Sequence, residues 1–353
     1  MAQCQLCGRQ SALITSSLGL CADCIRRYPD RALPVTARVH RRSRRQFGLP
    51  EAPPRQEAGK PCHLCVNECR MAEGERGYCG LRYHEGGRLR HLAGTPTKGL
   101  LHWYFDPLPT NCVADWVCEG HTRYGYKNLA VFYGACTFDC LFCQNWHYRQ
   151  LSPSGAGLSA AELAGCADQS TFCVCYFGGD PTPQMAHALA TSRLLAADGV
   201  RICWETNGSM HPAMVDQMVE LSMKSGGCIK FDLKAWDENL HRALTGSSNQ
   251  ATLQNFARIA SHAHRRPQPP LLIASTLLVP GYVDEREVSQ LAAFIASLAP
   301  DIPYALLGFH PNFHIHDLPR TSVRHAEEAL AAAHAAGLRN VRIGNRHLLS
   351  RAY

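Results

Sequence analysis

"LAVFYGACTFDCLFCQN", residues 129–145, joins a short apolar, β-rich run to three cysteines spaced four and then three apart. The run reads as a strand, which places Cys136, Cys140 and Cys143 in the loop at its end. From spacing alone the triplet can staple a loop, hold zinc, or hold a cluster that takes three protein ligands.

The pattern repeats downstream. β-rich runs at 171–178, 201–206, 228–233, 271–279 and 302–308 alternate with helix-like segments at 159–168, 182–198, 211–224, 249–264 and 285–298. Near-continuous apolar strands, each followed by a helix, imply a parallel sheet covered by helices on its faces. With 129–135 this makes six units, so the fold class is α/β, a partial (β/α)6 TIM-like barrel rather than a full eight. Segment 322–337 predicts a further helix closed by Gly337, and "NVRIGN" (340–345) is a candidate last strand. Chemistry in a parallel barrel gathers where strands end. Here "GAC", "GGDPTP", "ETNG", "DLK", "PGYVDE" and "FHPN" follow the six runs in turn.

The chain divides into a zinc-ribbon-like module (1–28), a basic Pro-rich linker (29–59), a Cys-rich accessory region (60–128), the barrel (129–312), and a C-terminal helix with a closing segment (313–353). No apolar run approaches the roughly 18–20 residues of a membrane span, and "MAQCQLCGRQ" lacks the pattern of a secretory signal. A cytoplasmic location is therefore expected, with no membrane partner. In a reducing compartment the 18 cysteines argue for metal or cluster ligation rather than disulfides. The formal charge is +7, and eight arginines fall between Arg26 and Arg45. Such a patch is either a solvated linker face or a site for nucleic acid or another polyanion.

Most of the other cysteines form sets. Cys4, Cys7, Cys21 and Cys24 make C-x2-C-x13-C-x2-C, the pattern of a structural Zn2+ site. Cys62, Cys65, Cys69 and Cys79 make C-x2-C-x3-C-x9-C, and spacing leaves zinc and an auxiliary Fe–S cluster both open. Cys112 and Cys118 are surface thiols, a cluster pair or substrate-handling groups. Cys166, Cys173, Cys175, Cys203 and Cys228 lie in or beside apolar runs and read as small core residues.

A C-x3-C-x2-C loop after a first barrel strand, with Phe142 before the last cysteine, resembles the radical S-adenosylmethionine (SAM) superfamily. The resemblance implies a [4Fe–4S] cluster on Cys136, Cys140 and Cys143, the catalytic centre, with one iron left for SAM. "FGGDP" is similar to the superfamily's glycine-rich loop. Gly178 and Gly179 then approach the methionyl end of SAM, and Asp180 stands where Glu is usual. "WETNG", "FDLKAWDENLHRALTG", "LVPGYVDE" and "LLGFHPN" resemble the pyruvate formate-lyase activating enzyme branch. That resemblance implies that Asn207, Asp232, Lys234 and His310 face SAM. It also matches Glu205, Thr206, Lys230 and Asp232 to a monovalent-cation region, with Lys230 replacing an apolar residue.

Within the branch, "CHLCVNECRMAEGERGYCGLR", "FCQNWHYRQ" and "FHPNFHIHDLPRTS" resemble the AmmeMemoRadiSam group over roughly residues 60–347. The N-terminal CxxC pair, the insert "NCVADWVCEGHTRYGYKN" and "GGDPTP" depart from it. The implied activity is reductive cleavage of SAM to a 5′-deoxyadenosyl radical that takes hydrogen from a protein partner, with flavodoxin or ferredoxin as electron donor. The alternatives are radical modification of a small molecule, peptide or nucleic acid, and a non-catalytic zinc-dependent nucleic-acid-binding protein.

Overall fold

The computed structural model describes residues 1–110 and 112–353. Its first 28 residues hold a two-residue hairpin, Ala2–Gln3 against Gln10–Ser11, and helix α1 (Ala22–Arg27). This segment has no core of its own. Leu18, Leu20 and Ile25 are buried against Leu240, Leu244, Val279 and Phe309 of the main body. The Tyr282 hydroxyl fixes the contact, donating to Leu20 O at 2.9 Å and accepting from Thr15 N at 3.1 Å.

The stretch expected to be a linker begins instead with α2 (Pro29–Arg45), a 17-residue helix. Proline content suggested a linker, yet Pro29 sits at the first helical turn, where its fixed φ favours a helix. Ala32, Thr36, His40, Ser43 and Arg44 are buried along one stripe. His40 Nδ1 lies 2.9 Å from the Asp139 carboxylate, and the Arg44 guanidinium stacks 3.5 Å from the Tyr78 ring centroid. Arg27, Arg31, Arg38, Arg41, Arg42 and Arg45 remain exposed.

The centre of the molecule is one eight-stranded sheet in simple sequence order. Its strands are β1 (Leu101–Pro107), β2 (Lys127–Tyr133), β3 (Thr171–Tyr176), β4 (Arg201–Thr206), β5 (Ile229–Asp232), β6 (Leu272–Leu278), β7 (Tyr304–Gly308) and β8 (Val341–Gly344). Strands β2 to β8 are parallel, whereas β1 pairs antiparallel with β2. The edges β1 and β8 do not pair with one another, so the barrel is partial. The six expected units are β2 to β7, and β8 comes from "NVRIGN". β1 falls within the stretch that the sequence reading gives to the accessory region. It is an edge strand, with Leu101, Trp103 and Phe105 on the core and His102 and Tyr104 on the other face. Such half-polar alternation is a weaker signal than a buried strand's apolar run.

Helices α3 (Ala160–Ala164), α4 (Met185–Ala197), α5 (Pro212–Ser225), α6 (Glu238–Thr245), α7 (Gln250–Ala263), α8 (Glu285–Leu298) and α9 (Val323–Ala335) follow the strands. The outward positions of the sheet, including Val131, Val174, Tyr176, Ile202, Trp204, Ile229 and Phe231, pack with Leu195, Met218, Phe256 and Leu291 from the helices. Trp204 is fully buried and its indole donates to Ser222 Oγ at 3.1 Å. Truncating such a side chain to alanine costs about 3–5 kcal/mol. Side chains alternate along a strand, so the intervening positions face inward. These are Asn128 and Phe132, Cys173 and Cys175, Cys203 and Glu205, and Lys230 and Asp232, and they form the site described next.

Candidate active site at the strand ends

The loops after β2, β3, β4 and β5 converge on one cavity. Cys136, Cys140, Phe142, Cys143, Gly178, Gly179, Asp180, Asn207, Asp232 and Lys234 all line it. Of the residues expected there, His310 stands apart. It is exposed, with Nδ1 2.9 Å from Pro311 O, and is not part of the lining.

The cysteine loop is held from several sides. Asp139 N donates to Thr245 O at 2.7 Å, Leu141 N donates to Leu244 O at 3.0 Å, and Leu141 O accepts from His314 N and Ile315 N at 2.9 and 3.0 Å. The Asp139 side chain, fully buried, meets His40, Ser43 and Arg149. Asn207 Nδ2 donates to Thr137 Oγ1 at 2.8 Å and lies 3.7 Å from Cys136 Sγ. Burial pushes the Cys136 and Cys143 thiols up and the Cys140 thiol up to about 12. Left alone they keep their protons; as thiolates they call for bound positive charge.

Gly178 and Gly179 have φ of +71° and +59°. A Cβ on Gly179 would lie 2.1 Å from Tyr133 O and 2.7 Å from Ala135 O, so only glycine brings this loop against the end of β2. Asp180 lines the cavity and is also engaged within the protein. Its Oδ1 accepts from Thr182 N at 2.8 Å, and its Oδ2 accepts from Thr206 Oγ1 at 2.8 Å and Asn207 N at 2.9 Å. One methylene shorter than Glu, the carboxylate is engaged by its own loop and by the end of β4. It braces the cavity wall.

On the facing wall Lys234 Nζ lies 2.7 Å from Asp232 Oδ2, and Ser275 Oγ donates to Asp232 Oδ1 at 2.7 Å. Burial works against the Lys234 charge, yet the Asp232 carboxylate, and Cys140 when it is a thiolate, hold the ammonium above its ordinary value. At the expected cation position, Lys230 Nζ lies 3.2 Å from Glu205 Oε2, so the chain's own ammonium already engages that carboxylate.

A family model for the radical SAM superfamily matches residues 130–295. The isethionate sulfite-lyase activating enzyme of Oleidesulfovibrio alaskensis is 30% identical over 266 residues, covering 71% of this chain and 76% of that enzyme. The chain belongs to the radical SAM superfamily. An uncharacterized protein of Methanocaldococcus jannaschii is 26% identical over 303 residues, covering 80% of each chain. A domain of the pyruvate-formate lyase-activating enzyme of Bacteroides vulgatus aligns with 49% of this chain and 99% of that domain, at 21% identity and a TM-score of 0.40.

A radical SAM protein is an enzyme whose family cofactors are a [4Fe–4S] cluster and SAM. The residues present fit that pair. Zn–S bonds of about 2.3 Å put the sulfurs of a tetrahedral site roughly 3.8 Å apart. Among the described residues only Cys4, Cys7, Cys21 and Cys24 bring three or more ligand atoms all within 4.8 Å of one another. Cys7 and Cys21 are 3.8 Å apart there. The Cys136 triplet is spread wider, as a cluster larger than one ion requires. So are Cys62, Cys65, Cys69 and Cys79, whose nearer contacts are with Arg82, Asn67 and Tyr78.

Cys175 and Cys228 are buried and Cys203 packs on the small core cluster of Cys228, as the reading of these residues as core has it, yet with Cys173 they have a second feature. They line a second cavity beside the first, together with Cys112, Cys118 and Lys230. Cys166 is not in that lining; its thiol lies 3.3 Å from Glu162 O on α3. A signal was available. Cys173/Cys175, Cys203/Glu205 and Cys228/Lys230/Asp232 recur at period two, so each group shares one strand face with residues already singled out. Counting cysteine as apolar hid it.

Proposed function

We propose that this radical SAM enzyme holds its [4Fe–4S] cluster on Cys136, Cys140 and Cys143 and abstracts hydrogen from a protein partner. When bound, the cluster and SAM supply reductive cleavage to a 5′-deoxyadenosyl radical, given an electron from a low-potential donor such as flavodoxin or ferredoxin. The observation that carries the reading is the single cavity that joins the three cysteines, the glycine loop and the Asp232–Lys234 pair.

In this reading the triplet would supply three thiolates to the cluster, and the cavity beside them would take SAM. Gly178 and Gly179 offer backbone at close range, Asn207 and Lys234 offer N–H donors, and Phe142 gives the cavity an apolar wall. Asp180 keeps the glycine loop and the end of β4 in register. The pinned cysteine loop and buried charges keep the groups preorganised, and excluding water protects a radical from side reactions.

The relative that activates isethionate sulfite-lyase supports a polypeptide as hydrogen source. A second reading, a small molecule, is favoured by the adjoining cavity of about 400 Å3, a volume typical of metabolite sites, where that cavity is not itself occupied by a cofactor. Zinc on Cys4, Cys7, Cys21 and Cys24 and an auxiliary Fe–S cluster on Cys62, Cys65, Cys69 and Cys79 complete the assignment. The first is supported by sulfurs at zinc spacing; the second rests on four cysteines in one short stretch of sequence. The zinc module (1–28), accessory region (60–128, with β1 lent to the sheet), barrel (129–312) and closing segment (313–353) are the corresponding units.

The test is to supply reduced enzyme and SAM with size-fractionated cell extract and follow 5′-deoxyadenosine. Stimulation by a protease-sensitive macromolecular fraction supports the protein partner. Stimulation by the low-mass fraction supports the second reading, and nuclease-sensitive stimulation points to nucleic acid.

A further inference from the structure

We propose that the barrel interior holds another iron–sulfur cluster, in a chamber ringed by Cys112, Cys118, Cys173, Cys175, Cys203 and Cys228. The chamber is about 400 Å3 and neither motif spacing nor family membership assigns it.

Its walls come from two sources. Cys173 and Cys175 are inward positions of β3, Cys203 is an inward position of β4, and Cys228 immediately precedes β5. Branched apolar side chains ordinarily fill this layer of a parallel barrel. Here thiols replace them and leave a cavity. The insert between β1 and β2 supplies the remaining pair. Its Ala114 is fully buried with Cys228 and Ile273, and Cys112, Cys118 and Cys203 pack against them. Two unconnected parts of the chain thus deliver sulfur to the same space.

Six thiols around one chamber are more than a single ion takes, and their spacing accommodates a larger group. Cys203 and Cys228 sulfurs are 3.9 Å apart, while no three of the six come within 4.8 Å of one another among the described residues. One soft ion bound by three or four thiolates would need them at roughly 3.8 Å. A polynuclear cluster, in which bridging sulfides fill the middle, suits a wider ring.

The charge in the chamber wall agrees. Lys230 is 1% exposed, and its Nζ lies 3.0 Å from Cys112 Sγ, 3.1 Å from Cys175 Sγ and 3.2 Å from Glu205 Oε2. A buried ammonium is costly unless anions surround it. With one carboxylate and two sulfurs as its neighbours, it is placed to stabilise thiolates or cluster sulfides. Glu205 and Asn145 line both cavities, so a group held here borders the cavity of Cys136, Cys140 and Cys143. The inference stands on the chamber alone and does not require SAM cleavage.

The experiment starts from the full chain carrying Cys136→Ala, Cys140→Ala and Cys143→Ala, reconstituted anaerobically, with iron and acid-labile sulfide counted. Adding Cys203→Ser and Cys228→Ser is expected to remove about two to four further irons with matching sulfide. Iron held by Cys62, Cys65, Cys69 and Cys79 is common to both proteins and cancels. Identical iron and sulfide counts overturn the proposal, as does zinc in place of iron. Crystals of reconstituted wild-type protein provide a readout independent of variant folding. An iron anomalous-difference peak inside the chamber is expected, and its absence overturns the proposal. Failure of the triplet assignment would appear separately, as no iron lost on the first three substitutions.

Discussion

Asp180→Asn isolates the brace between the glycine loop and the end of β4. The carboxylate accepts three hydrogen bonds, two on Oδ2 and one on Oδ1, and is 1% exposed. An amide has one acceptor oxygen. Oriented to keep Thr206 and Asn207, it turns its NH2 toward the Thr182 N–H, losing a bond to a charged acceptor and leaving a buried donor unpaired. Such a bond is worth about 1.5–3 kcal/mol and the orphaned donor costs about 1–3 kcal/mol; with partial relaxation the sum is about 2–4 kcal/mol. Unfolding entropy near 2.1 cal/mol/K per residue gives about 0.7 kcal/mol/K for 353 residues, so the melting midpoint falls by about 3–5 °C. Because the brace positions Gly179 and Asn207, SAM affinity should fall roughly tenfold, equivalent to about 1.4 kcal/mol. Calorimetry and SAM titration on anaerobically prepared protein read both quantities. A full loss of SAM binding with an unchanged midpoint would refute the brace and make Asp180 a direct ligand contact.

Three further outcomes are expected. Gly179→Ala forces a left-handed conformation costing about 1–2 kcal/mol and drives Cβ into Tyr133 O, so SAM titration should show binding lost beyond the Asp180→Asn level. Burial pushes the His241 imidazole down to about 4, against an unfolded value near 6.5. The unfolded chain therefore takes up the proton first as pH falls. Stability should decline from about pH 6.5 to 4 by up to about 3 kcal/mol, and His241→Gln should flatten that part of a melting-versus-pH curve. Chelation of the Cys4, Cys7, Cys21 and Cys24 site should release about one zinc and open residues 1–28 to protease, because a segment that short depends on its metal for folding. Unchanged protease resistance after zinc release would show that packing on Tyr282 and Leu240 suffices.

The barrel was legible because its strands are long apolar runs ended by loops of unusual chemistry, and the radical SAM resemblance rested on those same loops. What escaped has physical causes. β1 lies at an edge and alternates, and its polar positions looked like accessory loop. α2 carries so many arginines that its composition resembled a linker. Its fold depends on tertiary partners, Asp139 for His40 and Tyr78 for Arg44, that no local pattern reveals. Asp180 lines the cavity, and its hydrogen bonds to Thr182, Thr206 and Asn207 are a second role that the motif does not show. His310 lies in a strand-end motif, yet its ring turns to solvent. The thiol chamber was hidden most deeply, since cysteine is both a small apolar residue and a soft ligand. Only the assembled barrel shows four of them, with Cys112 and Cys118, around Lys230.

The most direct test of the central assignment is anaerobic. Wild-type protein and Cys140→Ala are reconstituted, reduced with dithionite, given SAM and assayed for 5′-deoxyadenosine. Wild type should form it and the variant should not. Deoxyadenosine from Cys140→Ala, or none from a wild-type chain with its iron and sulfide in place, would contradict cluster binding by Cys136, Cys140 and Cys143.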